Sequence, residues 1–61
     1  MDHYTVKRMA LVLAVQAEID GMKAENLQRQ VMERMPVYSE EHFENKAMEL
    51  RNLAHASDEQ L

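Results

Sequence analysis

The chain contains no cysteine. Disulfides and thiolate zinc sites are therefore excluded, and so is a cysteine nucleophile. Tryptophan is absent too, and there is one glycine and one proline, so the chain is poor in turns. No apolar run approaches the roughly 20 residues that a membrane-spanning helix needs. Positive charge is in deficit: 7 Lys and Arg stand against 11 Asp and Glu, for a net charge of −4. The imbalance sits from Val37 onward, where Glu40, Glu41, Glu44, Glu49, Asp58 and Glu59 face only Lys46 and Arg51. Phosphate binding needs a basic footprint, so this balance argues against nucleic acid as the main partner.

What is present favours helix: six methionines with many Ala, Leu, Glu and Gln. A chain of 61 residues makes one small domain, residues 1–61, that buries little surface and is marginal alone. Disulfides are excluded and a structural metal would have to use His3, His42 or His55 with carboxylates, so oligomerisation is the supplement we expect.

The greasiest stretch, "VKRMALVLAVQAEIDG", lies near the start of the sequence. A basic pair, an apolar core and Val15–Gln16–Ala17 imitate a secretory signal. Three features oppose that reading: the core is short, Asp2 and Tyr4 are atypical of a leader, and cleavage after Ala17 would leave too little to fold. We expect a helix instead, with no cleavage and a cytoplasmic protein.

Val6, Ala10, Leu13, Ala17, Gly21, Ala24, Leu27, Val31 and Met35 recur at spacings of three and four, the pattern of a helix buried along one side. The spacing predicts a long helix over about residues 4–35. Gly21 lies on this stripe between Ala17 and Ala24, where small residues let another backbone approach. An Asp20–Gly21 turn is rejected because the apolar phase runs through it unchanged. Pro36 ends the helix near Met35. A start signal follows: Ser39 as N-cap, Glu40 and Glu41 in the first turn, and Tyr38 and Phe43 at the spacing of a hydrophobic staple. The second helix, about 40–56, carries Phe43, Ala47, Leu50 and Ala54 on one seam with Leu53 beside it. Glu25–Arg29 and Lys46–Glu49 are expected as local ion pairs. Residues 1–3 and 57–61 are expected to fray, although Ser57 to Gln60 fits a capping box.

The turn at Pro36–Ser39 predicts an all-α, antiparallel helical hairpin. At equal rise per residue, the second helix would reach back only to about Leu13–Gln16, leaving most of the opening run as an overhang. Tyr4, Leu11, Val12, Val15, Ile19 and Met22 form a second apolar face, pointing away from the first stripe. A hairpin buries only one of the two, and a surplus face marks an interaction site. We expect a homodimer pairing two hairpins into a four-helix arrangement, or docking of a host or phage protein there.

No catalytic constellation and no cofactor site appear. There is no H-E-x-x-H and no glycine-rich phosphate loop. His3, His42 and His55 read as surface or turn residues rather than metal ligands, and Ser39 has no nearby base. The methionines read as packing. We expect a protein that is not an enzyme.

"AEIDGMKAENLQRQ" followed by "VYSEEHFENKAMELRNLA" resembles small uncharacterised early proteins of lambdoid bacteriophages, encoded between the excision and recombination genes. The resemblance covers about residues 11–54 and rests on Gly21, Met22, Ala24, Asn26, Tyr38 and Phe43. These are packing and turn positions, which transfer a fold more readily than a mechanism. What the resemblance implies is a cytoplasmic regulator made early in infection, acting on the host or on the choice between lysis and lysogeny by binding proteins. The alternative expectation is a dimeric DNA-associated regulator using Lys7, Arg8, Lys23, Arg29 and Arg34.

Overall fold

The computed structural model describes residues 2–61. Among them there are two long helices and no strand: α1 spans His3–Val31 and α2 spans Glu40–His55, followed by a single 3-10 turn at Asp58–Gln60. The two helices pack antiparallel into a slab of 47 × 19 × 10 Å, one helix thick. The radius of gyration is 14.6 Å, against about 10.5 Å for a compact chain of this length.

Asp2 starts α1. Its Oδ1 accepts the Thr5 backbone N–H at 2.7 Å, satisfying one of the orphan donors of the first turn. That bond is the main reason the Asp2 carboxyl is held below its ordinary value. Its contribution is complete above the ordinary carboxylate value and is lost as pH falls through the lowered, folded one.

The far end of α1 departs from the expectation of a helix to Met35. The helix stops at Val31, with Met32 as C-cap. Glu33 adopts φ 59, the left-handed conformation. The Arg34 N–H then reaches the Arg29 carbonyl at 2.8 Å, and the Glu33 N–H reaches the Gln30 carbonyl at 3.0 Å. These two bonds make a Schellman stop. Glycine is the usual residue at that position, so its replacement by glutamate hid the stop from the sequence. Pro36 lies beyond the end and does not cause it.

The connection then doubles back along the last turns of α1, held by one side chain. Asn26 Oδ1 accepts the N–H groups of Val37 (3.1 Å) and Tyr38 (3.0 Å), while its Nδ2 donates to the Tyr38 carbonyl at 2.9 Å. This draws the start of α2 toward the middle of α1. Ser39 caps α2 as expected. The reciprocal partner three residues on is His42, whose Nδ1 accepts the Ser39 N–H at 3.0 Å. The Tyr38 ring meets the His42 ring edge-on, with centroids 5.7 Å apart.

From this anchor the helices run back in step. Lys46 on α2 bonds Glu18 on α1 and, at 3.2 Å, Glu49 on its own helix. At the far end Arg8 Nε donates to the Leu53 carbonyl at 3.1 Å. Its Nη2 donates to the Ala56 carbonyl and lies 3.6 Å from Asp58. Arg8 thus serves the unpaired carbonyls at the end of α2, where the helix dipole favours a cation. The second helix therefore reaches Arg8, not Leu13–Gln16, and the expected overhang shrinks to the first turn and a half. The early stop at Val31 is the cause.

Lys46 is held above its ordinary value, first by Glu18 and then by Glu49. The stability these pairs contribute is complete below the ordinary lysine value and is lost as pH rises through the raised, folded one. The local Glu25–Arg29 pair is present as well, at 3.4 Å. Of the end expected to fray, Met1 lies outside the described residues. At the other end, the Ser57 N–H bonds Gln60 Oε1 at 2.9 Å and Leu61 is half-buried.

Two substitutions check this account by thermal or chemical denaturation. Glu33→Gly removes the left-handed strain and raises stability by about 0.5–1 kcal/mol. Asn26→Ala leaves two loop N–H groups without their acceptor and lowers it by about 2 kcal/mol, with Asn26→Asp falling between because it keeps the acceptor.

Candidate interaction surface

Both faces of α1 are apolar, and the structure decides which one α2 takes. Met22 is the one buried hydrophobic among the described residues, with 7% of its surface exposed. Leu11, Val12, Val15 and Ile19 are half-buried with it, on the same side as Arg8 and Asn26. Across from them stand the half-buried Phe43, Ala47, Leu50 and Leu53 of α2. A shallow groove of about 560 Å³ between the helices is lined by Leu11, Val15, Leu53, Ala56 and Leu61.

This reverses the expected assignment of faces. Leu11, Val12, Val15, Ile19 and Met22, read as the surplus surface, belong to the side that meets α2. Tyr4 lies beyond the reach of α2, 45% exposed, with its ring edge-on to His3 at 5.6 Å. On α2, Leu53 and not Ala54 completes the seam, since Ala54 is exposed.

The stripe read as the hairpin seam faces outward. Leu13 is 66% exposed, Leu27 61% and Val31 76%. Val6 and Met35 are exposed with them, as are Ala10, Ala17, Gly21 and Ala24. The geometry follows from the helical repeat. Ala10, Ala17 and Ala24 each lie two positions past Arg8, Val15 and Met22, about 200° around the helix. The two stripes are therefore on opposite sides of α1. A Cβ added at Gly21 would meet nothing within 4 Å, so the backbone is open to approach there. Beside the stripe, Gln16 donates to Asp20 at 3.1 Å.

The basic residues do not share a surface. Arg8 is engaged by α2, and Arg29 is paired with Glu25. Lys7 and Lys23 sit sixteen residues apart, which at about 100° per residue points them to nearly opposite sides of α1. Arg34 lies past the helix end. This distribution counts against the DNA-associated reading. No group of three His, Asp or Glu gathers into a metal-sized cluster among the described residues. His42 is committed to the α2 cap, while His3 and His55 are exposed. No described helix is long and apolar enough to cross a membrane. The chain matches no protein-family model, no curated protein and no solved structure.

The two faces should respond differently to truncation. In urea titrations at low micromolar concentration, Met22→Ala lowers stability by about 2 kcal/mol. Under the same conditions Leu13→Ala, already mostly solvated, changes it by less than about 0.5 kcal/mol.

Proposed function

We propose that this chain is a small regulatory interaction module that acts by binding protein through the outward face of α1 and not by catalysis. One observation carries the reading: Leu13, Leu27 and Val31, from 61% to 76% exposed, line up on the side of α1 that α2 leaves free. A contiguous apolar surface of this kind on a small chain marks a contact with another protein. The same face would carry the pairing of two hairpins into a four-helix arrangement. The acidic α2, on the far side, keeps the assembly solvated and disfavours polyanions.

A phage-infected bacterium is the setting that the resemblance of residues 11–54 implies, with a host or phage protein as target. The interaction reading holds with or without that setting.

Capture from bacterial lysate with the tagged chain tests the proposal. A Leu13→Glu/Leu27→Glu variant, with unchanged helical circular dichroism, should lose the proteins that the wild type retains. Identical recoveries from both would remove the outward face as a binding surface.

A further inference from the structure

We infer that the outward face of α1 takes a second copy of this chain, in antiparallel register, giving one flat layer of four helices in the order α2–α1–α1–α2. The inference rests on the outward face identified above and names its occupant.

The first support is area. The chain exposes 4963 Å². A compact monomer of 7.1 kDa exposes about 4,100 Å². The excess, about 900 Å², is close to the roughly 800 Å² per partner that a standard stable interface buries. With Met22 the one buried side chain among the described residues, the hairpin has little internal core to supply that missing burial.

The second support is the order of side-chain sizes along the stripe. From Val6 it reads Val, Ala, Leu, Ala, Gly, Ala, Leu, Val, ending at Val31. Laid against itself in reverse, Ala10 meets Leu27, Leu13 meets Ala24, and Ala17 meets Gly21. Every leucine thus faces an alanine, and the valines close both ends. A parallel pairing sets leucine on leucine and glycine on glycine, alternating collision with void. Interdigitation of large and small residues is what close packing requires. The local two-fold then passes between Ala17 and Gly21, where the open backbone allows the tightest approach. A two-fold homodimer of this type is isologous, so the same residues serve both copies. Antiparallel α1 helices also set opposite dipole ends beside each other.

Because the outward face lies opposite α2, the pair does not form a square bundle. The two α1 helices occupy the middle, and the acidic α2 helices lie at the two edges. The in-line order follows from which side of α1 each partner holds.

Sedimentation equilibrium of the full chain from low to high micromolar concentration tests the association. A monomer–dimer equilibrium is expected, weakened at least roughly 100-fold by Leu13→Glu/Leu27→Glu. A wild type that stays monomeric throughout overturns the dimer. The binding of another protein is then still decided by the lysate capture, so the two failures are separable. Register is read by cysteine cross-linking, since the chain has no cysteine of its own. Under mild oxidation, Leu13→Cys mixed with Ala24→Cys should give a heterodisulfide, while Leu13→Cys alone should give almost none. Efficient cross-linking of Leu13→Cys with itself overturns the antiparallel register.

Discussion

The hold of the Asn26 carboxamide on the backbone of Val37 and Tyr38 is the constraint on which the rest of the hairpin depends. One side chain on α1 makes three hydrogen bonds to the connection. It pairs three backbone groups of the connection, and it fixes where α2 begins relative to α1. With that start fixed, each step along α2 is matched by a step back along α1. Lys46 arrives at Glu18, and the last carbonyls of α2 arrive at Arg8. The Schellman stop at Glu33 makes the arrangement possible, because it ends α1 early enough for the connection to fold back alongside it.

The register also chooses the buried side of α1. Asn26, Met22, Val15 and Arg8 lie on one line of the helix, so holding the loop at Asn26 turns the whole line toward α2. The opposite line, from Val6 through Leu13 and Leu27 to Val31, is left outside. A hairpin of this length closes only a thin seam, and its polar cross-links carry much of the specificity of pairing. Burial is modest, exposure of aliphatic surface is large, and the chain has no disulfide to compensate.

Much of this was legible in the sequence and some was not, for identifiable reasons. The two helices, the Ser39 cap and the local Glu25–Arg29 and Lys46–Glu49 pairs follow from periodicity and spacing. The end of α1 is hidden in the sequence because the left-handed position is held by Glu33, where glycine or asparagine is the usual signal. The capping partner was hidden because His42 occupies a place usually held by glutamate or glutamine. The faces were exchanged because both stripes are apolar. The cleaner one, free of charge, looked like the seam, while the true seam contains Arg8 and Asn26. Those polar residues are what join the helices, and hydropathy alone scores them as surface.

Helix α2 packs on the line of Leu11, Val15 and Met22 and leaves Leu13 and Leu27 free. Methyl-directed nuclear Overhauser spectroscopy on the dilute chain measures this directly. Cross-peaks are expected from the Leu53 methyls to those of Leu11 and Val15. Cross-peaks from Leu53 to Leu13, with none to Leu11 or Val15, would contradict that packing.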